Sequence, residues 1–168
     1  MRKHGKLIEK YENSDFDDKL NFLFSFNGEL DEELSVFFLS IFIDESQDAE
    51  LRCEAVKILG LYRGVYGDEN IKEKIIEVIM TEGEDDEVQV SAINALSMII
   101  NDNDDFFIKK IYEIILGNYY SLVKEAAFSL IVEHKNLDVS QKLLSKLVNN
   151  NEFGFSAKRE LSCDNKNK

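Results

Sequence analysis

Two acidic clusters contain the side chains in this sequence that come closest to a cation-binding pattern. The first reads Glu-Asp-Asp-Glu over residues 84–87, and the second reads Asp-Asn-Asp-Asp over residues 102–105. A calcium loop needs spaced oxygen ligands, a glycine at its sharp turn and a later glutamate that binds through both oxygens. Both clusters lack that glycine and that glutamate. We therefore expect no metal and no cofactor.

Histidine and cysteine are too few and too widely spaced for the other common chemistries. His4 lies near the N-terminus and His134 ends a predicted helix, while Cys53 and Cys163 are far apart. No serine or cysteine has a plausible histidine base, and neither an HExxH motif nor a glycine-rich phosphate loop occurs. Two such cysteines indicate a reducing compartment and not a disulfide scaffold. The sequence predicts a protein that is not an enzyme.

The distribution of charge predicts the kind of partner. The net charge is −13, but residues 1–10 carry +3 and residues 158–168 carry +2, so that residues 11–157 carry −18. Such a body repels nucleic acid and anionic membranes and attracts basic proteins. No signal peptide and no apolar run of about 20 residues is present. We expect a cytoplasmic protein with no nucleic-acid or membrane partner; alternatively, the acidity serves only solubility.

The spacing of apolar residues predicts an all-α fold in a single domain covering residues 1–168. Apolar residues recur three or four positions apart, and proline is absent. Residues 1–43 hold seven of the twelve phenylalanines, and we expect them to form an aromatic-rich N-terminal cap. Helical hairpins are predicted over residues 44–161, with a turn at residues 63–68. A mobile tail is predicted over residues 162–168.

A repeated helix gives the predicted architecture. Small residues recur at Ala55, Ala92 and Ala126, at spacings of 37 and 34. Large apolar residues lie four positions before and after each of them, at Leu51, Val88 and Leu122 and at Leu59, Leu96 and Leu130. A weaker fourth copy is Phe153, Ala157 and Leu161. Because one helix separates the copies and small side chains let helices approach closely, we expect stacked antiparallel hairpins that form a short α-solenoid.

The repeated helix resembles a known family. Asp48-Ala-Glu-Leu-Arg-Cys-Glu-Ala-Val-Lys-Ile-Leu-Gly is similar to the second-helix signature of HEAT-like (armadillo-type) repeats, and the resemblance covers roughly residues 31–161. The second copy has Gln89 in place of the arginine, and the third has Tyr119 in place of the acid and Val123 in place of the arginine. The resemblance implies a short, irregular stack that binds proteins on one face, and it implies no activity.

The acidic residues collect at equivalent turns of the predicted hairpins. The third equivalent turn contains two tyrosines, and turns of this kind line one edge of a stack. Charges there would steer a basic partner, and tyrosine is enriched at energetic hot spots. Alternatively, the acids only complement helix dipoles and the tyrosines pack locally. With two acids from the helix faces described next, the predicted contact residues are Asp44, Glu45, Asp48, Glu50, Glu54, Glu82, Glu84, Asp85, Asp86, Glu87, Tyr119, Tyr120 and Glu125.

The outward face of the repeated helices is a second predicted contact surface. Glu54 and Glu125 occupy equivalent positions there, and so do Lys57, Asn94 and Phe128. Repeat scaffolds often bind along their concave row of helices. Phe128 is a contact residue if its ring is exposed, and a core residue if the ring is buried against the last helix.

Three functions are compatible with these features. Small acidic helical stacks resemble bacterial immunity proteins, which block nuclease toxins, and a nuclease must present a basic cleft. The first alternative is a regulatory or assembly scaffold that binds a helix or tail of a partner protein. The second is a nucleic-acid-binding helical repeat similar to some HEAT-like DNA repair glycosylases. Only the basic ends of the chain and Lys158-Arg159 favour that last alternative.

Overall fold

The computed structural model describes residues 3–62 and 66–163, and within these ranges the chain is all-helical without β-strands. The predicted all-α class is therefore confirmed. Residues 63–65 of the predicted turn, and residues 164–168 of the predicted tail, lie outside the described residues. The helices are α1 (Gly5–Glu12), α2 (Phe16–Ser25), α3 (Glu32–Ile43), α4 (Ala49–Leu61), α5 (Glu69–Ile79), α6 (Asp86–Ile99), α7 (Asp105–Leu116), α8 (Ser121–Glu133), α9 (Asp138–Leu147) and α10 (Gly154–Cys163).

Aspartates immediately before four of the helices set where those helices begin. Asp15, Asp31 and Asp48 precede α2, α3 and α4, and each carboxylate accepts a hydrogen bond from a backbone N–H of the first turn, at 2.9, 3.1 and 3.0 Å. Asp85 does the same for α6, accepting from Glu87 N at 2.8 Å. A side chain that caps a helix in this way satisfies a backbone donor that otherwise has no intrahelical partner.

Residues 1–99 form the first of two compact units, and it contains α1–α6. Its central helix is α4, which packs against α2, α3 and α6. A Cβ atom added at Gly60 of α4 would lie only 2.9 Å from Ala95 Cα of α6, so these two helices approach closely at small residues. Ala55 and Ala92, which the repeat predicts to be small for this reason, are fully buried.

An aromatic cluster fills the space between the first three helices. The ring centroid of Tyr11 lies 5.5 Å from that of Phe22 and 5.2 Å from that of Phe37, in edge-to-face geometry. The ring of Phe26 packs against Phe38 at 4.8 Å and against Tyr62 at 5.3 Å. Each such contact adds about 0.5–1.5 kcal/mol beyond the burial of apolar area. The cluster therefore ties α1–α3 to the end of α4.

Residues 100–168 form the second compact unit, and its described helices are α7–α10. α7 packs against α8 and α9, and α9 also packs against α8 and α10. Most of the core is aliphatic, with Ile108, Ile111, Ile114, Ile131 and Leu147 fully buried, and Phe107 and Phe153 are buried as well. The ring of Phe128 stacks on that of Phe153 with centroids 5.0 Å apart.

The third copy of the repeat is shifted by one residue from the predicted alignment. Leu122, predicted to face the core, is 54% exposed and Ala126 is half-buried, whereas Val123 and Ala127 are fully buried. Because Ala126 and Ala127 are adjacent, the sets Leu122-Ala126-Leu130 and Val123-Ala127-Ile131 both have the spacing of four. The second set is the one that is fully buried. Tyr120, and not Tyr119, therefore takes the place of the acid that precedes the helix.

In the corrected alignment Lys124 takes the position of Arg52 in α4. The predicted equivalence of Glu125 with Glu54, and of Phe128 with Lys57, is therefore wrong by one residue. No helix among the described residues is long and apolar enough to cross a membrane.

Candidate functional site

A buried arginine links two of the acidic turns. The side chain of Arg52 is 5% exposed, and its Nε donates to the carbonyl oxygen of Phe42, near the end of α3, at 2.9 Å. Its Nη1 and Nη2 donate to the two carboxylate oxygens of Glu84, in the turn between α5 and α6, at 2.8 and 2.6 Å. This bidentate pairing fixes the α5–α6 turn beside the α3–α4 turn.

The ionisation of two acids depends on this arrangement. Burial raises the pKa of Glu84, but hydrogen bonds from Arg52 and from Asp85 N outweigh it, so the pKa lies below its ordinary value. The pKa of Asp44 is lowered chiefly by hydrogen bonds from the Ser46 and Gln47 side chains, and the charge of Arg52 lowers it further. Both carboxylates are therefore ionised at neutral pH.

Some of the predicted contact acids have structural roles. Glu84 is the internal partner of Arg52, and its side chain is only 6% exposed. Asp44 is half-buried and accepts hydrogen bonds from Ser46 and Gln47 within its own turn. Glu54 is half-buried and forms an ion pair with Lys57 on α4. These three carboxylates are committed to contacts within the first unit.

The remaining predicted acids of the first unit are exposed. Asp48 and Asp85 cap helices through one oxygen and stay solvent-accessible. The side chains of the other five make no hydrogen bond or ion pair with any described residue. We define the acidic edge as these seven exposed residues of the α3–α4 and α5–α6 turns and the first turns of α4 and α6: Glu45, Asp48, Glu50, Glu82, Asp85, Asp86 and Glu87.

Cys53 is a buried free thiol close to the acidic edge. Burial raises the pKa of its thiol, a hydrogen bond with the Ser91 side chain opposes that effect, and the charges of Asp85 and Glu87 raise the pKa further. A thiol with a raised pKa forms little thiolate and is a poor nucleophile. No group of three or more His, Cys, Asp or Glu residues in the described part of the chain is placed to hold a metal ion.

The predicted residues of the second unit differ in exposure. Tyr119 is half-buried, and its ring covers Gly117 so closely that an added Cβ would lie 2.7 Å from Cε2. Tyr120 is 57% exposed, and Glu125 is exposed. Phe128 is half-buried against Phe153, which favours its core role over its contact role. That the tyrosines lie beside the acidic edge stays a prediction.

Sequence reasoning missed the partner of Arg52. Arg52 and Gln89 are equivalent in the repeat, and each donates to a backbone carbonyl ten residues earlier: Arg52 to Phe42 and Gln89 to Ile79 at 2.8 Å. The longer arginine also reaches Glu84. A buried cation needs an anion, but which acid of the α5–α6 turn supplies it depends on the packing of α4 against α6.

Comparisons with protein-family models, with curated proteins and with solved structures find no match for this chain.

Proposed function

We propose that this protein is a non-enzymatic binding module that uses the acidic edge to bind a basic protein. The observation that carries the proposal is the group of seven exposed carboxylates on two turns that Arg52 links. Of the seven, Asp48 and Asp85 cap helices through their side chains, whereas the side chains of the other five have no such role in the described part of the chain. Exposed carboxylates without internal partners raise the rate of encounter with a basic surface.

The proposed scaffold is a short stack of HEAT-like hairpins within each unit. In the first unit, α3–α4 and α5–α6 are the hairpins, with α1 and α2 as an aromatic-rich cap. The repeated hydrogen bonds from Arg52 to Phe42 and from Gln89 to Ile79 support this proposal, since they occupy equivalent places in successive hairpins. The close approach of Gly60 to Ala95 supports it as well, because the second helices of adjacent hairpins are the ones that meet there.

A nuclease toxin is the partner whose chemistry fits best. Its nucleic-acid cleft must be basic, and an acidic protein seated on that cleft would exclude the substrate. We therefore propose the role of a bacterial immunity protein. A general scaffold that binds a helix or tail would depend less on charge, and salt separates the two functions because screening slows charge-steered association.

The test measures association of the chain with a panel of basic nuclease toxin domains by surface plasmon resonance at low and at physiological salt. The edge variant carries Glu45→Gln, Glu50→Gln, Asp86→Asn and Glu87→Gln. The control variant carries Glu9→Gln, Asp17→Asn, Glu73→Gln and Asp102→Asn, which are four exposed acids elsewhere. We expect the edge variant to associate about tenfold more slowly at low salt, with a much smaller change in the control.

Two results would contradict the proposal. Equal losses in the edge and control variants would show that only net charge matters. Binding of duplex DNA by the unmodified chain at about 150 mM salt would favour the nucleic-acid alternative.

A further inference from the structure

A groove between α1 and α3 lies apart from the acidic edge. Its volume is about 460 Å³, within the range of known ligand sites. We name it the α1/α3 groove and define it by Ile8, Glu12, Glu32, Glu33, Val36 and Phe37.

The floor of the α1/α3 groove is apolar and only partly covered. Val36 lies in the middle of α3, between Ser35 and Phe37, which are both buried, yet Val36 itself is 59% exposed. Ile8 and Phe37 are buried beside it. Covering an exposed apolar side chain in a concave surface with another apolar group is favourable, because apolar surface is removed from water.

The rim of the α1/α3 groove is acidic. Glu12 and Glu32 are exposed, and their side chains form no ion pair with any described residue. Lys3 Nζ and His4 Nε2, just before α1, contact Asp31 Oδ2 at 2.9 and 2.8 Å, and the lining of the groove contains no basic residue. The groove therefore keeps its negative charge.

One carboxylate of the groove has a buried oxygen without a partner. Glu33 Oε2 accepts from His4 N at 3.2 Å, but Glu33 Oε1 is buried and accepts no hydrogen bond from the described residues. A buried acceptor that lacks a donor is destabilising, and native proteins contain few of them. Because Oε1 is buried, a lysine or arginine side chain in the groove would place an opposite charge beside this carboxylate without a direct hydrogen bond to Oε1.

We propose that the α1/α3 groove binds a basic peptide segment of a partner protein, with one apolar side chain on Val36 and lysine or arginine side chains on Glu12, Glu32 and Glu33. Charge complementarity selects this occupant, because the lining offers three carboxylates and no positive charge. The site goes beyond the proposed function, since it is a second contact surface that does not include the acidic edge.

The size of the groove sets the length of the segment. From Glu32 to Ser40, α3 rises about 12 Å, which is a little over two helical turns. A bound helix would therefore present one apolar residue, or two that lie four positions apart, between basic residues. This is the helix-in-groove mode of peptide recognition.

The experiment uses three fluorescein-labelled twelve-residue peptides and the full chain, with fluorescence anisotropy at physiological salt. The first peptide has two leucines four positions apart, six lysines and four alanines. The second replaces leucine with serine, and the third replaces lysine with glutamate. We expect the first peptide to bind at least about tenfold more tightly than either of the others. Equal binding of the first and second peptides would overturn the proposal.

Variants locate the binding. Glu12→Gln with Glu32→Gln, and separately Val36→Asp, should each weaken binding of the first peptide about tenfold, whereas the control Glu73→Gln with Asp102→Asn should change it less than about twofold. Val36 is exposed, so Val36→Asp should fold, which circular dichroism checks. The edge variant should bind the peptide normally, so a failure of the groove and a failure of the acidic edge give different results.

Other occupants give different outcomes. If free arginine competes with the peptide as well as an unlabelled peptide does at equal concentration, the site recognises a small cation and the proposal is wrong. If Val36→Asp abolishes a dimer seen by sedimentation while the peptide does not bind, the occupant is a second copy and the proposal is also wrong.

Discussion

Arg52 donates two hydrogen bonds to Glu84, at 2.8 and 2.6 Å, across 32 residues of sequence. Both side chains are about 95% buried in this pair. Since the guanidinium also holds the carbonyl oxygen of Phe42, one side chain positions both turns that bear the acidic edge. The stability of the first unit and the geometry of the proposed binding surface therefore depend on the same pair.

Removal of Glu84 should destabilise the protein strongly. Glu84→Ala leaves a buried guanidinium without its anion, and such changes cost about 3–5 kcal/mol in the free energy of unfolding. Urea unfolding followed by circular dichroism measures this quantity. The matched control is Glu82→Ala, which removes an exposed acid from the same turn and should change stability by about 0.5 kcal/mol or less. Equal effects of the two substitutions would contradict the assigned role of Arg52.

The contribution of Glu84 should disappear in acid. Its pKa is lower in the folded protein than the ordinary value of 4.5, so its contribution is complete above that value and is lost as the pH falls through the folded pKa. The gap in unfolding free energy between the unmodified chain and Glu84→Gln should therefore be constant near neutral pH and narrow below about pH 4.5. A gap that widened in acid would refute this prediction. The gap for Glu82→Gln should remain small throughout.

Gly60 should tolerate no side chain. Its added Cβ would lie 2.9 Å from Ala95 Cα and 3.1 Å from Ala95 Cβ, so Gly60→Val must push α4 and α6 apart. Overpacking of this kind costs about 1–3 kcal/mol, which a thermal or urea melt detects. Gly67 provides the control, because a Cβ there would meet no atom within 4 Å. If Gly60→Val were as stable as Gly67→Val, α4 and α6 would not be in contact at Gly60.

The ion pair that corresponds to Arg52–Glu84 in the second unit should be weak. Lys124 Nζ lies 3.5 Å from Glu152 Oε2, and the Glu152 side chain is 45% exposed. A double-mutant cycle with Lys124→Ala and Glu152→Ala should give a coupling energy of about 0–1 kcal/mol. A coupling of several kcal/mol would mean that this pair is as important as Arg52–Glu84. The coupling should also fall at high salt, because the pair is accessible to ions.

The sequence predicted the helices well because strong, local signals set them. Capping aspartates and apolar spacing marked α4 and α6, and the small residues Ala55 and Ala92 lie on these two helices, which pack together. The alignment of α8 was less certain, since Ala126 and Ala127 are adjacent and either satisfies the spacing. Only burial distinguishes them, and burial depends on contacts between distant residues.

The candidate site was harder to predict than the fold. The sequence showed which residues are acidic, but it could not show that Glu84 is internal while Glu82 is exposed, two residues away. That difference arises because the guanidinium of Arg52 reaches the carboxylate of Glu84 and draws it into the interior. The α1/α3 groove was not predicted at all, because the exposure of Val36 depends on how α1 packs against α3. Val36 is one of many apolar residues in α3, so its residue type does not indicate that it is exposed.

The equivalent positions of Arg52 and Gln89 determine where the polypeptide can be shortened. Arg52 needs Glu84 from the following hairpin, so a fragment that stops after α4 would retain a buried cation with no counter-ion. The amide of Gln89 is satisfied by Ile79 within its own hairpin. A fragment that stops at Ile99 therefore leaves neither residue without its partner.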